Sequence, residues 1–311
     1  MDKNAIKARN RGCLKRFWGE RELWFWTALF VVWWVIFFLI PIFGISYAFF
    51  DYTPGRELSM DKFVGFKHFL AFFKSRDAMK IIRNTLVLSG LNMTVGFVMP
   101  VVLALMLDEL RQGPFKKVVQ TISYLPYFVS WVVVASLAIS LLNSDGVVNE
   151  VLQMFGVTES AIPFLTEGEY FWGLRTFLDI WKNLGWNTIL YMSAIAGIDQ
   201  SLFEAGAVDG ITRWGSVKYI TIPSIMPTIV LLFILGLGNF LNLGYEQNLL
   251  LGQSTTRDYW EIIDTYVYRY GIQKGRYSFS IAISLMKSVI GLVLVFVSNA
   301  VTKKYTDYAI M

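Results

Sequence analysis

Six long apolar stretches constrain this chain more strongly than any other feature of its sequence. A helix needs roughly 20 residues to cross a hydrocarbon layer about 30 Å thick, and each stretch reaches that length. The stretches are residues 23–50, 85–107, 118–142, 171–198, 228–251 and 279–301. Because only helices and closed barrels satisfy their own backbone in lipid, the pattern predicts an all-α integral membrane protein with six transmembrane helices.

The composition agrees with a membrane location and excludes several kinds of chemistry. Hydrophobic residues make up 55% of the 311 residues and charged residues only 16%, which is too apolar for one soluble core. With one cysteine, Cys13, and one histidine, His68, the chain offers no internal disulfide and no Cys-based metal site. We therefore predict no catalytic residue and no metal ligand, and we expect His68 to be exposed.

Lysine and arginine mark both ends of the chain as cytoplasmic. Residues 1–22 form a basic tail, and Lys303 and Lys304 begin a second tail, 303–311. Because positively charged loops stay inside, we predict an N-in/C-in topology with a transmembrane domain over 23–302. The segment 143–170 then lies outside, and it contains acidic residues without any lysine or arginine, as this topology expects.

The segment 51–83 departs from the charge rule, because it is basic although the topology puts it outside. Phenylalanines stand between its charges, at Phe63, Phe66, Phe69, Phe72 and Phe73. Such a mixture predicts an amphipathic element that lies on the bilayer or on the helix bundle.

The connection 199–227 is unusually long for an inside loop. Ser201 and Glu204 have the spacing of a capping box, and Gly210 permits the left-handed turn that ends a helix. A second short helix is predicted over 212–220, ending before Pro223, since proline disfavours helix in the residue that precedes it. We interpret the segment as a helix-turn-helix elbow suited to a cleft on a partner; an ordinary loop is the alternative.

The residues of this elbow carry a family resemblance. Glu204-Ala205-Gly206, Asp209-Gly210 and Ile222-Pro223 with Pro227 resemble the "EAA…G…LP" signature of permeases of binding-protein-dependent ABC importers. The chain departs from the pattern at Gly206, where a second alanine is usual, at Ile211, where a small residue often stands, and at Ile222, where leucine is usual. These are changes of volume in a packed knob, so they bear on docking affinity.

The resemblance implies a type I ABC importer permease fold in a bacterial inner membrane, with the elbow as coupling helix. It implies as partners a second, related permease, two cytoplasmic ATPase subunits and an extracytoplasmic substrate-binding protein, in membrane lipid and without nucleic acid. ATP and magnesium would be bound by the ATPase, and no cofactor by this chain. The residues expected to couple to the ATPase are Glu204, Ala205, Gly206, Asp209, Gly210 and Arg213.

Other segments refine the resemblance to a subgroup of the family, and the sequence also indicates that ATP is hydrolysed by another chain. Residues 125–131, 242–247, 264–269 and 277–278 resemble the subgroup that imports complex oligosaccharides or polysaccharide fragments. A nucleotide-hydrolysing chain would need a phosphate cradle ending in Gly-Lys, and no Gly-Lys pair occurs in this sequence. The chain is therefore expected to be a translocation subunit rather than an enzyme.

Polar and aromatic residues within the apolar stretches are candidates for a sugar path. Arg175, Asp179 and Asn183 are spaced to share one helix face, and Asn239, Asn242 and Glu246 to line another. Amide and carboxylate groups would bond sugar hydroxyls and aromatic rings would stack on pyranose faces. The candidates are Tyr127, Asn183, Trp186, Asn187, Tyr191, Asn239, Asn242, Tyr245, Glu246 and Lys287.

Each of these side chains has an alternative, purely structural role in a hydrogen bond between membrane helices. Such a bond contributes about 0.6 kcal/mol of stability on average. Lys287 is expected to pair with Glu246 or with the companion permease. Three other functions stay open: an ABC permease for a non-sugar solute, a membrane-embedded enzyme and a secondary carrier. Against the enzyme stands the lack of metal-binding and nucleophile motifs, and against the carrier the lack of an internal repeat.

Overall fold

The computed structural model describes residues 20–56, 59–111 and 113–305. Within these ranges the secondary structure is helical apart from one isolated antiparallel bridge between Phe50 and Phe63. The predicted all-α class is therefore confirmed. The predicted tails 1–22 and 303–311 lie largely outside the described residues, as does Cys13.

Thirteen helices are used below to locate residues in the described part of the chain. They are α1 Arg21–Phe49, α2 Lys67–Phe73, α3 Ala78–Asp108, α4 Pro114–Tyr124, α5 Trp131–Leu142, α6 Val147–Met154, α7 Phe171–Ala196, α8 Gln200–Val208, α9 Arg213–Gly238, α10 Glu246–Leu251, α11 Arg257–Trp260, α12 Ile263–Tyr268 and α13 Tyr277–Tyr305. Short π-helical turns interrupt α1, α3 and α9 at Val35–Leu39, Asn92–Gly96 and Val217–Thr221.

Among the described residues, five helical stretches are both long and apolar enough to cross a membrane. They are α1, α3, Trp131–Met154 (which comprises α5 and α6), α9 and Tyr277–Lys304 of α13. The remaining predicted crossing is α7, which has 26 residues and is therefore long enough. It is not among the five because charged and amide side chains lower its apolarity.

The predicted continuous helix over 118–142 is wrong. Helix α4 passes into a 3₁₀ turn, Leu125–Phe128, and the chain is extended at Val129 and Ser130 before α5 begins. Pro126 has no backbone N–H to donate, which favours the break. Ser130 starts the next helix, because its hydroxyl accepts a hydrogen bond from the amide of Val133 at 3.4 Å.

The predicted boundaries of the fifth crossing are also wrong. No helix ends before Pro223; instead α9 stays helical, through its π turn, from the elbow at Arg213 to Gly238. The π turn Val217–Thr221 lies just before Pro223. Its i→i+5 hydrogen-bond pattern accommodates proline, which has no backbone N–H to donate to the helix. At the other end the helix stops at Gly238, and residues 239–245 form turns rather than continuing to 251.

Helix α7 lies at the centre of the bundle, against α3, α4, α9 and the 3₁₀ turn that follows α4. Helix α13 packs on α9 and on the end of α1. Small residues permit the closest approaches: an added Cβ at Gly291 of α13 would lie 2.4 Å from the carbonyl oxygen of Gly238. Two charged residues of α7, Arg175 and Lys182, are buried inside the bundle.

The segment 51–83 folds as an amphipathic element, as predicted. Phe72 of α2 is fully buried in a cluster with Ile81, Tyr266 and Phe279, while Phe66 and Phe73 are exposed. The expectation that His68 is exposed is wrong, because its side chain is buried. Its Nε2 lies 3.1 Å from the carbonyl oxygen of Phe50 and 3.2 Å from a carboxylate oxygen of Asp51, so it ties α2 to the end of α1.

Candidate functional site

The elbow between α7 and α9 folds nearly as its sequence indicates, but a different residue caps it. The carboxylate of Asp199 accepts from the amide of Ser201 at 2.9 Å, so Asp199 is the cap and the predicted Ser201–Glu204 capping box is wrong. Gly210 has φ +75° as predicted. The amides of Gly210 and Ile211 bond the carbonyls of Ala207 and Gly206 at 3.2 and 2.9 Å, which closes the turn as a Schellman motif.

The elbow presents most of its signature residues to the outside. Glu204, Ala205, Asp209, Gly210 and Arg213 are exposed. Gly206 is the exception, since it is buried and an added Cβ would lie 2.9 Å from Cδ1 of Ile220. The elbow is therefore a preformed knob, packed inside through Gly206 and Ile220 and free on its outer surface to meet a partner.

Two of the predicted aromatic residues meet at the break between α4 and α5. Tyr127 and Trp186 stack face to face, with centroids 4.3 Å apart and planes 5° apart. Lys182, one turn before Trp186 on α7, fixes the break, because its ammonium donates to the carbonyl oxygens of Tyr127 and Val129 at 2.6 Å each. Trp186 keeps 43% of its surface exposed.

An amide-lined cavity of 150 Å³ lies between α3 and α7. Asn183 and Asn187, both predicted, line it with Asp179, whose carboxylate accepts from the amide of Asn183 at 3.1 Å. Asn92 and Gly96, at the ends of the π turn in α3, complete its wall. Sequence reasoning did not place Asn92 here; an asparagine inside the apolar stretch 85–107 was the available signal.

The predicted stripe of Asn239, Asn242 and Glu246 on one helix is wrong, because the helix ends at Gly238. Asn239 and Asn242 instead lie in a turn, where the side-chain amide of Asn242 donates to Oδ1 of Asn239 at 3.4 Å. Tyr245 stacks on Tyr268 with centroids 4.5 Å apart. All of these except Tyr268 are exposed on this chain, so the turn 239–245 presents amides and an aromatic ring together.

Two residues predicted for the sugar path, Tyr191 and Lys287, instead make contacts inside the helix bundle. Tyr191 is buried in an apolar cluster with Ala104, Ile195 and Ile225. Lys287 forms an ion pair with Asp264 rather than with Glu246. Neither side chain joins the Tyr127–Trp186 pair, and Lys287 is connected to the turn 239–245 through Asp264.

This architecture and its elbow define the class of protein. The chain belongs to the family of inner membrane components of binding-protein-dependent transport systems, whose sequence model matches residues 96–307. The predicted family is thus confirmed, and the chain is a permease subunit of an ABC importer.

Particular relatives are similar over nearly the whole chain. Protein LplB of Bacillus subtilis (strain 168) is 39% identical over 289 residues, covering 92% of this chain and 90% of that protein. The polygalacturonan/rhamnogalacturonan transport system permease protein YteP of the same strain is 41% identical over 280 residues, 90% of this chain and 87% of that protein. A chain of the bacterial alginate ABC transporter, crystallised with an alginate pentasaccharide-bound periplasmic protein, is 37% identical with a TM-score of 0.85, covering 95% of this chain and 99% of that one.

Proposed function

We propose that this chain is a translocation subunit that imports oligosaccharides, delivered by an extracytoplasmic binding protein, across a bacterial inner membrane. The observation that carries the proposal is the stacked pair Tyr127–Trp186 beside the amide-lined cavity of Asp179, Asn183 and Asn187. Flat rings and amides are the groups that recognise a sugar, the rings through its apolar face and the amides through its hydroxyls. The names of the relatives, which refer to alginate and to polygalacturonan and rhamnogalacturonan, support the same class of substrate.

We propose that α7 is a sixth crossing, which makes the topology N-in/C-in. The charged residues of α7 turn inward: Arg175 is fully buried and Lys182 is 6% exposed. Large apolar and aromatic side chains are exposed on it, among them Phe177, Trp181 and Leu190. A helix of this kind presents apolar surface to lipid although it contains charged residues.

We propose a companion permease because most of helix α1 is not packed against the rest of this chain. None of its residues from Arg21 to Ile42 is buried against the rest of the chain, and aromatic side chains such as Trp33 and Phe37 are exposed around it. Only its last turns, Phe43–Phe49, pack on α13. An arm of this shape fits a second, related permease that it contacts in the membrane.

The elbow is proposed to dock in a cytoplasmic ATPase, two copies of which would bind ATP and magnesium. Because α9 is continuous from Arg213 to Gly238, it joins the elbow to the turn that carries Asn239 and Asn242. A helix of 26 residues spans about 39 Å at 1.5 Å per residue. Closure of the ATPase dimer would therefore move one end of the proposed path directly and switch its access across the membrane.

Uptake by the assembled transporter tests this function. The complex of this chain with its companion permease, ATPase and binding protein would be reconstituted in liposomes and given, in parallel, labelled neutral and uronic-acid oligosaccharides, a labelled amino acid and labelled glycerol phosphate. The expected result is accumulation of an oligosaccharide that requires ATP on the elbow side and the binding protein on the other. Uptake without nucleotide, or uptake restricted to an amino acid or glycerol phosphate, would refute the proposal.

A further inference from the structure

The turn 239–245 leaves backbone groups without the partners that a helix would supply. Helix α9 ends at Gly238, α10 begins only at Glu246, and Gly244 has φ +75°. Within a membrane protein an unpaired amide is costly, so such a break persists only where other groups bond the backbone. The peptide units around Leu243 are therefore informative about what determines the shape of this turn.

The carboxylate of Asp264 accepts hydrogen bonds from the amides of this turn. Oδ2 of Asp264 on α12 accepts from the amides of Leu243 and Gly244, at 3.0 Å each. The other oxygen of the same carboxylate pairs with the ammonium of Lys287 on α13. Lys287 compensates the charge, and hydrogen bonds to a charged acceptor are stronger than those between neutral groups.

A cation bonds the same residue on the other side. Nη2 of the buried Arg175 donates to the carbonyl oxygen of Leu243 at 3.1 Å, and the side-chain amide of Gln247 donates to it at 2.8 Å. Nη1 of Arg175 reaches Oδ1 of Asn92 at 3.3 Å, at the wall of the amide-lined cavity. Three helices, α7, α10 and α12, thus bond the backbone of Leu243 directly, and α3 and α13 hold Arg175 and Asp264 in turn.

We propose that Asp264 is a positioning residue for translocation, acting by accepting the amides of Leu243 and Gly244 and so placing Asn239, Asn242 and Tyr245 in the sugar path. Arg175 is its counterpart on the carbonyl of Leu243, and Lys287 pairs with the other oxygen of the carboxylate. Tyr268, four residues after Asp264 on the same short helix, stacks on Tyr245 and supports the same placement. The inference rests on the proposed function, since it assigns the turn to the path.

The test separates the backbone bonds from the ion pair. Two double variants lack both charges and so leave no buried charge uncompensated. Asp264→Asn with Lys287→Met keeps a side-chain oxygen that can accept from the two amides. Asp264→Leu with Lys287→Met has none; if that chain does not accumulate, Asp264→Ala with Lys287→Met takes its place. At position 264 the two double variants are both uncharged, and only the Asn side chain can accept from the two amides.

Hydrogen exchange in the purified complex gives the first readout. We expect the amides of Leu243 and Gly244 to exchange about tenfold faster in the acceptor-less variant than in the Asn–Met variant. This readout does not use a substrate, so it stands even if the complex transports no oligosaccharide and the proposed function fails. Equal exchange in the two variants would overturn the positioning role.

Transport kinetics give the second readout. We expect the maximal rate of uptake to fall about tenfold in the acceptor-less variant relative to the Asn–Met variant. The concentration of loaded binding protein that half-stimulates the ATPase should stay unchanged, because the outer docking surface is not altered. Equal loss of uptake in the two variants would show that only the ion pair matters and would refute the inference.

Discussion

Gly185 of α7 lies so close to Ser123 of α4 that a Cβ added at Gly185 would be 2.1 Å from the carbonyl oxygen of Ser123. A backbone carbonyl group in a helix cannot move aside as the flexible end of a side chain can. The contact therefore fixes how near α7 comes to α4, and with it the position of the Tyr127–Trp186 pair one residue further along α7.

Gly185→Ala should disrupt this helix contact. Separating α7 from α4 would cost about 3 kcal/mol, the upper part of the range for overpacking a well-packed interior. We expect a lower melting temperature of the purified complex, measured by fluorescence-detected size exclusion. Gly173→Ala on the same helix is the control, since nothing lies within 4 Å of a Cβ there. Equal melting temperatures of the two variants would contradict the packing argument.

Trp186→Ala should weaken recognition of the sugar without affecting insertion. Aromatic stacking contributes about 0.5–1.5 kcal/mol beyond buried area, so the KM for uptake should rise roughly 2- to 10-fold. Trp186→Phe should retain part of the affinity because a ring remains. Trp181→Ala is the control, as Trp181 is comparably exposed on the same helix. A KM that changes as much in Trp181→Ala as in Trp186→Ala would argue against a sugar contact at Trp186.

Substitutions at Gly206 should distinguish packing inside the elbow from contact with the ATPase. Gly206→Ala places its Cβ against the end of the flexible Ile220 side chain, which can shift, so coupling should stay near wild type. Gly206→Leu adds three more carbons to a filled interior and should cost about 1–3 kcal/mol of elbow stability. The measurement is ATPase stimulation by the loaded binding protein, with total membrane-inserted chain as the control. Full stimulation in Gly206→Leu would contradict the interior placement of Gly206.

The stability contribution of Asp51 should depend on pH. Its hydrogen bond with Lys67, 2.7 Å long, lowers the pKa of this carboxyl below the ordinary 3.8. A lowered folded-state pKa means that the stabilisation is complete above the unfolded pKa and is lost as pH falls through the folded value. Because the pair is about half exposed, the contribution should be below about 1 kcal/mol. The melting temperatures of wild type and Asp51→Asn should differ near neutral pH and converge below pH 3.8; a constant difference would contradict the assignment.

The features predicted correctly depend on local properties of the chain. Helix existence follows from apolar runs that are long enough for a membrane, and the turn at Gly210 follows from the freedom of glycine at positive φ. The family follows from Glu204-Ala205-Gly206, Asp209-Gly210 and Ile222-Pro223. The coupling and sugar-path roles of individual residues stay predictions.

The wrong predictions concern where helices are interrupted and which side chains pair with each other. A proline pattern indicated an interruption before Pro223, yet the structure absorbs it in the π turn Val217–Thr221. Apolarity indicated a helix through 239–251, yet bonds from Arg175 and Asp264 stabilise a turn there. Periodicity likewise could not show that Lys287 meets Asp264, because the two belong to different helices.

The sequence by itself determined that this chain is a helical membrane protein with a helix-turn-helix elbow, because hydrophobic length and glycine placement act over a few residues. Only the tertiary structure decided where the helices break, which charges pair and which polar groups face a common cavity. Those outcomes depend on groups far apart in the chain, such as Arg175 and Leu243, whose bonds compensate backbone that the local sequence alone would leave helical.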